Sequence, residues 1–348
     1  MSRIAYVDGR FVPHNAAAIH IEDRSVQFAD AVYEVWGVKD GALLDSDGHF
    51  TRLERSLGEL KIAMPVGREA LAEALFELIR RNRLRNGLVY LQVSRGKARR
   101  DHAFPGPDVK PCVIATAKRV DFAALVKKAE TGIAVKTMPD QRWARCDIKT
   151  VSLLANVLAK QAAKETGAQE AWLTDRDGFV TEGSSSNAWI VTPEGALVTR
   201  PASNAILNGI TRRTLISVAQ GRGLTFEERP FTVDEALAAR EAFITNASSM
   251  LMPVVTIDGQ PVGNGHPGSL TTELRTAYQD SAVAAAHKKT ARAASRPVAR
   301  RAKRRISSGQ PTARTVEQRR ERDPPCPMTR NRTFRTFFST RSASPRRR

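Results

Sequence analysis

The chain reads as an α+β protein of two domains, a smaller α+β N-terminal domain over residues 1–120 and a larger, sheet-rich C-terminal domain over residues 132–286. Three observations predict this. The 348 residues are enough for two separate cores. Three Asp-Gly pairs, at 8–9, 40–41 and 258–259, each divide short apolar runs. That is a hairpin signal, because a tight turn needs a positive φ that glycine tolerates. Residues 121–131 are charged and lack a strong period, which places a linker between the two halves.

In the first half, Ile4 to Val7 and Arg10 to Val12 form the first hairpin, and Val32 to Val38 with Ala42 to Leu44 the second. Ile21 to Phe28 between them is mixed and reads as a connecting loop. Phe50, Leu53, Leu57 and Leu60 step by three, four and three, which predicts a helix that Pro65 ends, with Arg52 off the apolar stripe. Leu71, Leu75, Leu78 and Ile79 predict a second helix. Leu88 to Ser94 and Pro111 to Lys118 read as strands on either side of a polar, cation-rich loop from Arg95 to Pro107.

In the second half, Ile133 to Lys136 reads as a strand. Val151, Leu154, Leu158 and Ala162 then step by three, four and four, which predicts one buried helix face with Lys149 at or just before its start. Glu170 to Thr174, Phe179 to Glu182, Ser186 to Thr192 and Ala196 to Thr199 read as strands divided by turn residues. Gly209 stands just ahead of a helix, and Thr232 with Glu235 makes a capping box before a short one. Phe243 to Asn246 reads as a strand, Val254 to Ile257 and Gln260 to Val262 as the third hairpin, and Leu270 to about Ala285 as a closing helix.

A net charge of +19 suggests a polyanion partner until it is divided by segment. Residues 287–348 hold 20 Lys+Arg against 3 Asp+Glu, whereas residues 1–286 hold 35 against 33. The body is nearly neutral and shows no charge-based sign of nucleic acid. The basic tail is poor in aliphatic residues, cannot offset its conformational entropy by burial, and is expected to be disordered. Three cysteines without paired spacing suggest neither a disulfide framework nor a zinc site. No apolar run approaches the roughly 18 residues of a membrane span, so a soluble, cytoplasmic protein is expected.

Three features carry chemistry. Lys149, placed at a positively polarised helix start in partly apolar surroundings, would have its ammonium form disfavoured, as an amine that holds a carbonyl as a Schiff base requires. For an arbitrary lysine the ordinary reading is a solvated side chain. Gly209 ahead of a helix offers a phosphate seat, since unpaired N–H groups point outward there. Glu182, at a strand end beside Gly183 and three serines, is either an ionised acid in a site or part of a surface turn. A lysine amine, a phosphate seat and an acid that keeps a pyridine nitrogen protonated are what a pyridoxal phosphate site needs.

The segments Glu22-Asp-Arg, Tyr33-Glu-Val, Ser94-Arg-Gly, Arg145-Cys-Asp-Ile-Lys149, Thr181-Glu-Gly-Ser-Ser-Ser-Asn187 and Gly209-Ile-Thr-Arg212 occur in order. Together they resemble the class IV, or fold-type IV, pyridoxal phosphate aminotransferases over about residues 3–284. The resemblance implies the cofactor pyridoxal 5′-phosphate, with Lys149 joined to it and moving the proton of the substrate α-carbon. It implies Glu182 on the pyridine nitrogen, and Leu207 behind the ring. Arg52, Ile210, Thr211, Ala247 and Ser248 would hold the phosphate, although spacing alone makes Arg52 a solvated helix residue. Arg100 and His102, with Tyr33, match the residues with which D-amino acid aminotransferases of this family trap the substrate carboxylate. A solvated basic loop is the other reading of that stretch.

The resemblance therefore implies transfer of an amino group from a D-amino acid to a 2-oxo acid such as 2-oxoglutarate in two half-reactions, and a homodimer in which this loop reaches the partner's site. A branched-chain L-aminotransferase or an aminodeoxychorismate lyase on the same scaffold is the alternative. Ala29 and Ala31 depart from the glycines usual in the family, and Ala247 from a hydroxyl residue. A rival of another class is a nucleic-acid-binding protein acting through Arg300-Arg-Ala-Lys-Arg-Arg305 and Arg346-Arg-Arg348. Those clusters lack interleaved aromatics, so such binding would be electrostatic and salt-dependent, and a solvated extension is the preferred reading of the tail.

Overall fold

The computed structural model describes residues 3–294, with side chains up to residue 286. Two sheets organise it. The first has six strands in the order β2-β1-β6-β5-β3-β4, all antiparallel: β1 (Ile4–Val7), β2 (Arg10–Pro13), β3 (Ala31–Lys39), β4 (Ala42–Leu43), β5 (Gly87–Ser94) and β6 (Cys112–Arg119). Along β3 the side chains alternate. Val32, Trp36 and Val38 enter a core with Val89, Leu91 and Val93 of β5, beneath α2 (Ser46–Glu59) and α3 (Arg68–Arg81). Tyr33 and Val35, on the other face, line a cavity.

The second sheet has nine strands: β7 (Ile133–Pro139), β8 (Glu170–Thr174), β9 (Val180–Gly183), β10 (Asn187–Val191), β11 (Leu197–Thr199), β12 (Phe226–Glu228), β13 (Glu241–Asn246), β14 (Met250–Ile257) and β15 (Gln260–Pro261). It is mixed, with parallel pairing of β7 to both β8 and β14. Both faces are covered, so β10 is buried at every residue and reads as an unbroken apolar run rather than an alternation. Ala188 and Ile190 pack on one side with α7 (Val233–Ala238), and Trp189 and Val191 on the other with α6 (Ile210–Gly221) and α8 (Ser269–Ala294).

The Asp-Gly pairs at 8–9, 40–41 and 258–259 make two-residue turns with positive φ at both positions, for example 43° at Asp8 and 83° at Gly9. Four expectations are corrected. Ile21 to Phe28 contains a short helix, α1 (Arg24–Phe28), whose N-cap Asp23 accepts from the Ser25 N–H at 2.8 Å. Residues 121–131 are helical too. Asp121 caps α4 (Phe122–Thr131), and Leu125 and Ala129, one turn apart, pack on the second core while the lysines face solvent.

The helix after Lys149, α5 (Leu154–Glu165), buries Ala159 and Ala163 against β8 and leaves Leu154 and Leu158 at 71% and 58% exposure. Small residues let that helix lie close to the sheet, and the stripe of large residues turns outward. Finally, α8 continues to Ala294, eight residues into the tail expected to be disordered. The basic clusters at 300–305 and 346–348 lie outside the described residues. Among the described residues, no helix is long and apolar enough to cross a membrane.

Ala29 ends α1 in the left-handed region, at φ 54° and ψ 27°. A side chain with a Cβ is strained there by about 1–2 kcal/mol, part of which glycine would forfeit again as unfolded-chain entropy. Ala29→Gly is therefore expected to raise the urea midpoint by the equivalent of about 1 kcal/mol, measured by circular dichroism; an unchanged or lower midpoint would contradict the strain.

Candidate active site

Lys149 lies in an extended segment clipped to β3, not at a helix start, since α5 begins five residues later. Tyr33 N–H donates to Lys149 O at 3.0 Å and Val151 N–H to Ala31 O at 3.1 Å, so residues 149–151 run beside the strand that carries Tyr33. The helix-terminus reason for an altered lysine is thereby withdrawn. What the segment has instead is rigid anchorage. Ile148 packs in the first core, and Asp147 accepts from Arg55 Nη2 at 2.5 Å and Arg145 Nε at 2.9 Å. Lys149 Nζ stands 4.1 Å from the centroid of the Tyr33 ring, which itself stacks on Tyr90 at 5.5 Å.

A cavity of about 230 Å³ collects most of the residues singled out above. Lys149, Tyr33, Glu182 and Leu207 line it, as do Arg52, Ile210, Thr211, Ala247 and Ser248. Glu182 comes from the end of β9 and is 5% exposed. Its carboxylate meets donors alone: Arg142 Nη1 in a very short contact, Asn187 Nδ2 at 2.9 Å and the Leu207 N–H at 3.1 Å. Burial pushes its pKa up while the Arg142 guanidinium pulls it down, with the net direction upward. Asn187 also donates to Leu207 O at 2.8 Å, and its Oδ1 occupies the space that a Cβ on residue 209 would need. Glycine at 209 is thus a matter of room.

Arg52 is held from several sides. Its Nε and Nη2 donate to the two oxygens of Glu34 at 2.7 and 2.8 Å, and its Nη1 to Asn208 O at 3.1 Å. Arg52 is 8% exposed, so the solvated-helix reading fails. No side chain caps α6, and Gly209, Ile210 and Thr211 line the cavity where its unpaired N–H groups begin. In the turn after β13, Asn246 Oδ1 takes the N–H and hydroxyl of Ser248 at 3.0 and 2.9 Å. That commits the Ser248 hydroxyl to the loop itself.

Arg100 and His102 are not among the lining residues of this cavity. Their loop folds over α1 instead. Arg24 Nη1 donates to Asp101 O at 2.6 Å and Ala103 O at 3.2 Å, and Phe28 lies 5.3 Å from the His102 ring and 5.2 Å from the Arg100 guanidinium.

Four residues that shape the site escaped the sequence: Glu34, His49, Asp140 and Arg142. Arg142 is neutralised by Asp140, whose oxygens accept its Nε at 3.0 Å and Nη2 at 2.7 Å, before it reaches Glu182. A usable signal existed for Glu34 alone, an acid at an inward register position between Val32 and Trp36.

Residues 31–257 match the family Amino-transferase class IV. The chain belongs to the class IV aminotransferases. It is 43% identical to a D-alanine aminotransferase of Bacillus licheniformis over 274 residues, 79% of this chain and 95% of that protein. It is 39% identical to one of Staphylococcus haemolyticus over 273 residues, 78% and 95% of the two chains. Among solved structures, a T.th. branched-chain amino acid aminotransferase with pyridoxamine 5′-phosphate superposes with a TM-score of 0.75 at 26% identity, over 82% of this chain and 95% of that one. The Escherichia coli branched-chain enzyme shares the fold at 22% identity and the same TM-score, over 81% and 95%.

As a class IV aminotransferase this is a pyridoxal phosphate enzyme of the two-sheet, fold-type IV architecture. The cavity fits that cofactor by its donor set. An amine, a buried carboxylate surrounded by donors, and an arginine beside an uncapped helix start all line it.

Burial pushes the Glu34 carboxyl up, but Arg52 and His49 outweigh it and bring the folded pKa down from 4.5 to about 2. A depressed carboxyl contributes its stability in full above about 4.5, and that contribution is lost as pH falls through about 2. Urea unfolding at a series of pH values across this interval should show a steep acid loss, which Glu34→Gln, having nothing to titrate, flattens. Parallel curves would show that Glu34 does not account for it.

Proposed function

We propose that this class IV aminotransferase moves the amino group of a D-amino acid, D-alanine among them, to a 2-oxo acid such as 2-oxoglutarate. The observation that carries the reading is the geometry of one cavity, in which Lys149 Nζ lies over the Tyr33 ring with Glu182 buried in the same wall. The relatives support the stereochemistry: the proteins of 37–43% identity are named D-alanine aminotransferases, and the solved branched-chain enzymes stand at 22–26%.

Pyridoxal 5′-phosphate, when bound, supplies the electron sink that makes the substrate α-proton acidic. The residues of the chain do the rest. Glu182, fixed by Arg142, Asn187 and the Leu207 N–H, holds the proton on the pyridine nitrogen. Arg52, the α6 start at Ile210 and Thr211, and the backbone at Ala247 and Ser248 bind the phosphate. Leu207, in the wall of the same cavity, would pack behind the ring. Lys149 Nζ would take the proton from the substrate α-carbon and pass it to the cofactor's carbonyl carbon, on the far side of the nitrogen that joins them. Tyr33 orients the substrate beside that amine. Because the amino donor leaves as an oxo acid before the acceptor enters, the two substrates react in turn.

Arg100 and His102 have their place in a homodimer. Their loop lies away from the cavity of its own chain, and we assign it to the cavity of a second copy, where guanidinium and imidazole would take the substrate carboxylate. Leu154, Val157 and Leu158, on one face of α5 and all more than half exposed, supply apolar surface for such a partner. A soluble cytoplasmic enzyme is consistent with this reading.

With 2-oxoglutarate as acceptor, D-alanine is expected to be consumed and L-alanine left, as followed by chiral chromatography; consumption of L-alanine or L-leucine alone would turn the assignment to the branched-chain activity. Lys149→Ala and Arg100→Ala should each lose nearly all turnover. Co-expressed, they should recover activity at about one site in four, because only a mixed dimer assembles an intact site. No recovery in isolated mixed dimers would place Arg100 in its own subunit's chemistry or in none.

A further inference from the structure

Arg52 is held more firmly than a charge opposite a phosphate needs to be. A guanidinium has five N–H groups, and three of those on Arg52 are spent inside the protein, two on Glu34 and one on Asn208. Two are left, one on Nη1 and one on Nη2. Glu34 is itself anchored, because its Oε2 also accepts from His49 Nδ1 at 2.7 Å. Glu34 is fully buried and His49 is 3% exposed.

Neutralising Arg52 weakens the long-range attraction it offers a dianion. A buried carboxylate close to a phosphate seat is therefore unfavourable by charge alone, and its retention points to orientation. An arginine free to turn in a cavity loses rotamer entropy on being fixed, and a side-on carboxylate takes that loss when the chain folds rather than when the ligand binds. A lysine could not use the arrangement, since an ammonium has no plane to fix.

We propose that Glu34, braced by His49, is a positioning residue that sets the plane of the Arg52 guanidinium so that its remaining N–H groups meet the cofactor phosphate. This rests on Arg52 being a phosphate contact, and the experiment separates the two. The apo-protein is titrated with pyridoxal 5′-phosphate and, in parallel, with pyridoxal, which lacks the phosphate. Binding is read by protein fluorescence, and the phosphorus NMR resonance of the bound phosphate is recorded.

Glu34→Gln is expected to weaken pyridoxal 5′-phosphate about ten-fold, to shift the phosphorus resonance, and to leave pyridoxal binding unchanged. In an Arg52→Lys background the same substitution should change little, because no planar fork is left to orient. If Glu34→Gln weakens both ligands alike, or weakens the phosphate ester equally in both backgrounds, its effect comes through the fold and the proposal is overturned. If Arg52→Lys leaves pyridoxal 5′-phosphate affinity and the resonance untouched, the phosphate role of Arg52 fails first. Should Glu34→Gln not fold, His49→Phe makes the same comparison. It removes the brace and keeps the carboxylate, and a smaller loss of the same phosphate-selective kind is expected; no selective loss overturns the proposal.

Discussion

The antiparallel clip between β3 and residues 149–151 is what the site depends on. Two backbone hydrogen bonds, from Tyr33 to Lys149 and from Val151 to Ala31, attach a loop of the second half of the chain to a strand of the first. Because side chains on a strand alternate, the same register that sends Tyr33 and Val35 into the cavity sends Glu34 into the core. The amine, the aromatic ring above it and the carboxylate that grips Arg52 are thus set by one register. A slip by one residue would reverse all of them.

Around that clip, charge is placed in pairs rather than singly. Asp147 answers Arg55 and Arg145, Glu34 answers Arg52, and Asp140 answers Arg142 before Arg142 reaches Glu182. A buried ion without a partner is far more costly than a satisfied pair, so each arginine near the cavity arrives already compensated. The cavity therefore presents directed donors and one directed carboxylate, not a general positive field. That is consistent with a body whose charges nearly cancel.

Much of this is legible in the residues. The three Asp-Gly turns, the strands flanking them, and the helices α2 and α3 follow from local chemistry and period, and the structure has them. The short ordered motifs bring Lys149, Glu182, Arg52, Leu207 and the helix start at Gly209 into one expectation, and the fold brings them to one cavity. The departures have a common cause. Period marks α5 by its large apolar residues, yet those face outward, because alanines are enough to pack it on β8. The helix α4 escapes the pattern because two residues one turn apart supply its buried side, too few for a visible period.

Sequence alone determined the things that depend on neighbours along the chain: which turns can close, which runs are strands, and which residues the ordered motifs single out. Tertiary structure alone decided how those pieces face one another. That Lys149 sits on a strand edge and not at a helix start, that Glu34 and His49 stand behind Arg52, and that Arg100 and His102 lie outside their own chain's cavity are matters of contacts between residues far apart in sequence. Such contacts depend on sheet register and loop path, which no local period encodes.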